Sequence, residues 1–154
     1  MEGYRDRPGP MRPYTAQVVI QAPQEDVWRV LTDLDGYAQW NPFTPRVRSA
    51  LEPGALVWIV VWLRWLPLIQ VERVQAVQPP STLAWGFTLP WSRLLWAERV
   101  QSLAAHADGC TYTTTVTIGG LLLPLVHLLF GGALREGSQA MARALKATAE
   151  APST

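Results

Sequence analysis

The chain of 154 residues contains one cysteine, two histidines and few charged side chains. Cys110 cannot form an intramolecular disulfide, and the spacing of His106 and His127 is not that of zinc ligands. Thirteen Lys and Arg against twelve Asp and Glu leave a net charge of +1, which provides no basic surface for a nucleic acid. We therefore expect a reduced protein that has no metal or other cofactor and does not bind nucleic acid.

Signals for export, for crossing a membrane and for common catalytic sites are also missing. No cationic start is followed by an apolar run, so a cytoplasmic location is expected. The most apolar stretch, 118–134, is short for a spanning helix and contains four glycines, Pro124 and His127. The sequence has no Gly-x-Ser-x-Gly motif, no phosphate-binding glycine loop and no pair of carboxylates at a catalytic spacing. None of these common sites is therefore predicted.

Apolar residues, in contrast, are in excess. Hydrophobic residues make up 49% of the chain, eight residues are tryptophan, and only 16% are charged, where about 25% is usual. Segment 57–63 is apolar on both strand faces, and segment 121–130 has no polar side. Because monomers rarely expose such contiguous patches, we expect a homodimer that covers one of them, with a weak membrane contact or a contact with a partner protein as the alternatives.

The first third of the chain predicts a strand followed by two helices. Residues 1–13, rich in Pro, Gly and charge, are expected to be a flexible tail, and residues 151–154 a disordered end. Apolar residues alternate from Tyr14 onward, which predicts the first strand. Pro23 and the acidic residues after it are typical of a helix start, and helical spacing of apolar residues continues to about Thr32. A further short helical turn is predicted at residues 37–40.

The remainder of the chain predicts six more strands and a long last helix. Runs of β-branched and aromatic residues are separated by turn signals at strand-length intervals, and short connections make neighbouring strands antiparallel. We place these strands at residues 44–51, 55–66, 68–78, 82–89, 94–107 and 111–118. From Leu123 to Leu145 one face is apolar at 100° per residue, and after Gly132 the opposite face is charged, which predicts a helix whose second half is amphipathic.

Three segments carry a resemblance to a known superfamily. The opening Ile20-x-Ala22-Pro23-x-x-x-Val27-Trp28-x-x-Leu31-x-Asp33-x-x-x-Tyr37-x-x-Trp40-Asn41-Pro42-Phe43 resembles that of the SRPBCC (START-like) superfamily. Arg73-Val74-x-x-Val77-x-Pro79-Pro80 and Asp108-Gly109-Cys110-Thr111 are similar to its middle and late segments. The resemblance covers residues 14–150 and points to the polyketide cyclase/dehydratase and lipid-transport-like branch. Many of these relatives carry Gly-x-His where this chain has Ala97-Glu98-Arg99.

The resemblance implies an α+β helix-grip fold with β-α-α-β6-α order. In this fold a seven-stranded curved antiparallel sheet surrounds the long C-terminal helix and leaves a cavity between them. Apolar strand faces opposite an apolar helix stripe would make that cavity suitable for a lipophilic small molecule. We therefore expect the protein to bind a lipid, an isoprenoid or an aromatic polyketide-like compound. The alternatives are a cyclase, aromatase or dehydratase that uses the same cavity, and a structural subunit without a ligand.

Three residues are candidates for catalysis in the enzyme alternative. His127 lies on the inward stripe of the last helix as a candidate acid or base, and Glu98 and Arg64 follow it. Each residue has a structural interpretation as well. His127 would be a core histidine bonded to the backbone, Glu98 would form a cross-strand ion pair, and Arg64 would be a surface charge at the end of a strand. Glu72, Arg73, Glu98 and Arg99 are expected to form cross-strand ion pairs, or to direct one member inward as an acid or a clamp.

The expected ligand-binding residues are mostly aromatic or apolar and lie on the strands, on the two-helix segment or on the inward helix stripe. They are Trp40, Phe43, Trp58, Trp62, Trp85, Phe87, Trp96, Tyr112, Val116, His127, Phe130, Leu134 and Met141. Because both faces of segment 57–63 are apolar, the pattern leaves open which face of that strand points inward.

Overall fold

The computed structural model describes residues 7, 9–91 and 93–152, which form seven strands and three α-helices in the predicted order. The helices are α1 (Gln24–Thr32), α2 (Tyr37–Trp40) and α3 (Leu123–Glu150), and a 3-10 turn (Leu34–Gly36) precedes α2. The strands are β1 (Met11–Ile20), β2 (Arg46–Arg48), β3 (Leu56–Leu63), β4 (Leu66–Gln78), β5 (Thr82–Thr88), β6 (Trp96–His106) and β7 (Gly109–Gly119).

The strands form one antiparallel sheet in the order β1-β7-β6-β5-β4-β3-β2. The first strand therefore pairs with the last, and the five strands between them follow one another as hairpins. The sheet curves around α3, which packs across β1, β7 and β3 and also contacts α1. This arrangement confirms the predicted helix-grip fold.

Two strands, β1 and β2, show the differences from the prediction that matter most here. β1 begins at Met11, which pairs with Gly119, so residues 11–13 belong to the sheet and not to the expected tail. Residues 1–6, 8, 153 and 154 lie outside the described residues. The strand predicted at 44–51 is only three residues long. It starts late because Asn41 Oδ1 accepts hydrogen bonds from the backbone N–H groups of Phe43 and Thr44 and holds them in a turn. It ends early where Leu51 adopts φ 51° and donates its backbone N–H to Ser49 Oγ.

The core lies between the concave face of the sheet and the helices. Alternate residues of each strand face inward, and the inward stripe of α3 contributes Leu134, Met141 and Leu145, all buried. Pro124 stands in the first turn of α3, where a missing N–H costs no helical hydrogen bond. α3 covers β1 and β7 more closely than β4 and β5, and this leaves space beneath its first half.

Candidate functional site

A cavity of about 170 Å³ lies between the concave face of the sheet and the first half of α3. Inward residues of β3 to β7 form its floor, and Val126, Phe130 and Leu134 of α3 form its roof. The lining is predominantly apolar. Six of the thirteen expected ligand-binding residues lie in this wall, namely Phe43, Trp85, Phe87, Val116, Phe130 and Leu134.

The face of β3 that points inward is the one without tryptophan. Ile59 and its alternate neighbours are buried, whereas Trp58 and Trp62 lie on the outer face and are exposed. The expectation that Trp58 and Trp62 line the cavity was therefore wrong. The physical reason is the strand period of two residues, which places every second side chain of an all-apolar strand on the solvent side.

Trp96 also lies on the outer face of the sheet. It stands at the start of β6, one residue out of phase with the inward Ala97 and Arg99, and its ring covers Gly119 of the paired strand. The guanidinium of Arg7 lies 4.8 Å from the centre of that ring. Trp96 is thus buried against the N-terminal segment and not against the cavity, which corrects its expected position.

Three further expected residues belong to the core outside the cavity wall. Trp40 packs edge-on against Tyr37, with ring centres 4.9 Å apart. Tyr112 is fully buried and donates a hydrogen bond of 2.7 Å to Gln101 Oε1. Met141 lies beneath Arg99 and receives a hydrogen bond from it.

His127 lies between α3 and β1, outside the cavity wall. Arg12 Nη1 lies 3.1 Å from Nε2, and an arginine can only donate, so Nε2 is the acceptor. The proton of the neutral ring is then on Nδ1, which donates to Tyr14 Oη at 2.7 Å. This position does not fit the predicted acid or base inside the cavity; His127 connects α3 to β1 through side chains instead of a backbone carbonyl.

Neither of the other catalytic candidates directs its charge into the cavity. Arg64 occupies the turn between β3 and β4 with φ 62° and is exposed, 3.8 Å from Glu136 Oε1. Glu98 borders the cavity, but its carboxylate accepts a hydrogen bond from the amide of Gln75, whose oxygen accepts one from Arg7 Nη2. The three candidates are therefore not brought together.

Two of the four residues that were expected either to form cross-strand ion pairs or to direct one member inward supply the polar end of the cavity, which fits the inward alternative. Arg99 of β6 and Glu72 of β4 both line it and are only 7% and 8% exposed. Arg99 Nη1 donates to Met141 Sδ at 3.1 Å, and the guanidinium lies 4.8 Å from the centre of the Phe43 ring. The sequence contained a weak signal for the inward position of Glu72 and Arg99. Each of the two residues is in phase with the inward residues of its own strand.

Burial controls the protonation of this polar end. It raises the pKa of the Glu72 carboxyl to about 7, and the nearby Arg99 cation opposes the shift. Burial lowers the pKa of Arg99, while Tyr112, Glu72 and Tyr37 act in the other direction. Burial also raises the pKa of Tyr112 to about 12 and that of Tyr37 further, so both phenols are neutral at pH 7.

Two other kinds of site are absent from the part of the chain that the structure describes. Within residues 7, 9–91 and 93–152, no helix is long and apolar enough to cross a bilayer. In the same ranges, no three His, Cys, Asp or Glu side chains are grouped so that they could hold a metal ion.

A curved antiparallel sheet closed by a long helix over an apolar cavity defines a helix-grip protein. The chain belongs to the family described as polyketide cyclase / dehydrase and lipid transport, whose model matches residues 11–150. This confirms the resemblance that the opening motif carries. Among curated proteins, none matches the chain.

Solved structures share this fold at low sequence identity. The Zhui aromatase/cyclase from Streptomyces sp. R1128 is 20% identical, with a TM-score of 0.75, over 92% of this chain and 94% of that one. The di-domain ARO/CYC BexL from the BE-7585A biosynthetic pathway is 19% identical, with a TM-score of 0.71, over 93% of this chain. The match spans about half, 51%, of the BexL chain. TTHA0849 from Thermus thermophilus is 15% identical, with a TM-score of 0.70, over 90% and 97% of the two chains.

Proposed function

We propose that the protein binds a hydrophobic small molecule in the cavity under the first half of α3. The observation that carries this proposal is the apolar wall formed by Trp85, Phe87 and Phe130 in a member of this family. A volume of about 170 Å³ is below the roughly 300–1,000 Å³ of drug-sized pockets, which favours a one- or two-ring compound or a short chain over a larger polyketide. The cytoplasmic location remains a prediction.

A second candidate is a cyclase- or dehydratase-type enzyme that uses the same cavity. It is favoured by Glu72, a carboxyl inside an apolar wall whose pKa of about 7 suits proton exchange at neutral pH. Glu72 would take the proton from a carbon next to a carbonyl, and the Arg99 guanidinium would stabilise the negative oxygen that results. In this candidate Glu72 replaces His127 as the acid or base.

Contact quenching of tryptophan fluorescence tests whether the ligand occupies the cavity. All eight tryptophans lie among the described residues, and Trp85 alone lines the cavity. The small neutral bromoalkane 1-bromohexane quenches tryptophan only on contact, so it is expected to remove the part of the buried, blue-shifted emission that comes from Trp85. We expect Trp85→Phe to lose this quenching and the matched variant Trp62→Phe to retain it.

Two results would contradict the proposed site. Quenching that survives in Trp85→Phe would place the bromoalkane on the exposed tryptophans. No quenching in the wild type, together with an unchanged melting temperature for a panel of lipophilic compounds, would overturn ligand binding itself, because a ligand of the folded state must raise that temperature.

We also propose that a homodimer forms through the outer apolar patch, defined as the exposed Trp58, Trp62, Ile69 and Val71 of β3 and β4. Trp58 and Val71 are direct partners across the two strands, so the patch is continuous. A continuous apolar surface of two paired strands suits an identical surface, and the net charge of +1 opposes association little.

Light scattering at micromolar concentration checks the dimer. Ile69→Asp places a charge at a side chain that is 77% exposed within the patch, and it is expected to give a monomer. Val19→Asp, at a 53% exposed position of β1, is the matched control that should remain dimeric. A monomeric wild type would overturn the proposal, and liposome binding by that monomer would assign the patch to a membrane surface.

A further inference from the structure

The polar end of the cavity carries a cation that no protein carboxylate neutralises at close range. Arg99 and Glu72 both line the cavity, yet no ion pair within 4.0 Å joins Arg99 to any carboxylate of the described residues. The hydrogen bond from Arg99 goes to the thioether of Met141, which is a weak acceptor. A guanidinium has five donor hydrogens, so most of its capacity is not used by the protein.

A buried cation of this kind favours a bound anion. Moving a charge out of water is costly unless a counter-charge or strong acceptors compensate for it. The π face of Phe43 gives partial compensation on one side of the guanidinium. The planar donor set on the other sides matches the two oxygens of a carboxylate, which accept parallel hydrogen bonds from an arginine.

We propose that the ligand is a lipophilic carboxylate whose two oxygens bind Arg99, and that its binding transfers a proton from solvent to the Glu72 carboxylate. The inference rests on the proposed function, because the apolar part of the same molecule would fill the cavity. No covalent bond forms or breaks in the ligand.

Charge balance explains the coupling between ligand and proton. With Glu72 ionised the polar end is neutral, and with Glu72 protonated it carries one positive charge, which matches one carboxylate. Because burial raises the pKa of Glu72 to about 7, some of the empty sites near neutral pH have this carboxyl ionised, and these sites must take up a proton on binding.

The other titratable groups near Glu72 do not disturb this balance. Tyr37 of α2 and Tyr112 of β7 remain neutral because burial raises the pKa of each phenol. On β6, the carboxylate of Glu98 faces Gln75 on the outer side of the sheet. The side chains that α3 contributes to the cavity wall, Val126, Phe130 and Leu134, do not titrate.

The test uses two matched pairs of probes in which only the charge differs: 2-naphthoate with 2-naphthamide, and octanoate with octanamide. Calorimetric titration of the full chain at pH 6.5 is expected to show each acid binding at least tenfold more tightly than its amide. Titrations in two buffers of different ionisation enthalpy should show proton uptake with the acids and none with the amides. Above pH 8 the affinity for the acids is expected to fall by up to tenfold per pH unit.

Two variants assign the two roles. Arg99→Met is expected to abolish the preference for the acids, and Arg73→Met is its control, since Arg73 is exposed on the opposite face of β4 and donates to the Gly54 carbonyl oxygen. Glu72→Gln is isosteric and is expected to keep the preference for the acids at pH 8.5 and to lose proton uptake. It tests the coupling independently of whether Arg99→Met folds.

The outcomes separate this inference from the proposed function. If the amides bind as tightly as the acids, or if the acids bind without proton uptake, the inference is overturned while the cavity remains a binding site. If none of the four probes binds the wild type, the inference is overturned, and the quenching by 1-bromohexane then decides whether the proposed function fails as well.

Discussion

Glu72→Gln is expected to raise the free energy of unfolding by about 3 kcal/mol at pH 8 and by less than about 1 kcal/mol at pH 5. In the folded protein burial raises the pKa of this carboxyl from its ordinary value of 4.5 to about 7. At pH 8 the wild type must keep an ionised carboxylate inside an apolar wall, and glutamine has nearly the same shape without the charge.

The sign of this effect follows from where the proton is bound. Between pH 4.5 and 7 the unfolded chain has lost the Glu72 proton while the folded chain still holds it. Wild-type stability from this group therefore falls as pH rises through this window and stays level above it. Urea unfolding of both proteins from pH 5 to pH 8 measures the difference.

An exposed carboxylate provides the control for this experiment. Glu52 lies in the turn before β3 and is exposed, so Glu52→Gln should change stability by no more than about 0.5 kcal/mol at either pH. If the effect of Glu72→Gln were also small and independent of pH, the Glu72 carboxyl would be hydrated in solution, and it would not couple a ligand to a proton.

The destabilising charge of Glu72 fits a binding site better than a structural role. A core without function would be more stable with well-packed apolar residues in place of both Arg99 and Glu72. Both side chains line the cavity and are buried, so the free energy lost in the empty protein is recovered only when an anion compensates the guanidinium. The ligand-bound protein is then expected to be stabilised more by an acid than by its amide.

The order of the elements was predictable from the sequence because local signals determine it. Period-two alternation in β1, the turn at Asp108-Gly109 and the inward stripe of α3 each depend on neighbouring residues only. Gly109 adopts φ 146°, a conformation that favours glycine, which is why a turn signal at this position was reliable.

The face of β3 was not predictable because its two faces are equally apolar. Its inward side is determined by long-range pairing with β2 and β4 and by the position of α3, and none of these is a property of the strand itself. In β6 the ambiguity is similar, since Trp96 and Glu98 share one face while Ala97 and Arg99 share the other. Because each face of β6 carries one charged residue, the aromatic Trp96 alone does not show which face points into the core.

The inward direction of His127 was predictable, but its partner was not. Its place on the helix stripe turns it toward the sheet, as expected from helical spacing. A helix stripe does not indicate which strand it will meet, and α3 passes over β1 at this point. His127 therefore meets Tyr14 and Arg12 instead of the cavity.

Two glycines of α3 are expected to respond to alanine in opposite directions. Gly137→Ala should lower the free energy of unfolding by about 2 kcal/mol, because the new Cβ would overlap the ring of the buried Phe43, which must move or strain its rotamer. Gly132→Ala should raise it by roughly 0.5–1 kcal/mol through helix propensity, since its Cβ meets only the end of the exposed Arg64 side chain, at 3.1 Å. Thermal and urea unfolding of both variants measure these changes.

Gly137→Ala and Gly132→Ala also test the cavity wall. Phe43 is part of that wall, and the Arg99 guanidinium lies over its ring. If Gly137→Ala displaces that ring, the affinity for 2-naphthoate should fall together with stability, while Gly132→Ala should leave this affinity unchanged. Stabilisation by both alanines would show that α3 moves away from Phe43 freely. The contact between helix and cavity wall would then be loose, and Phe43 would not hold Arg99 in the position from which it binds an anion.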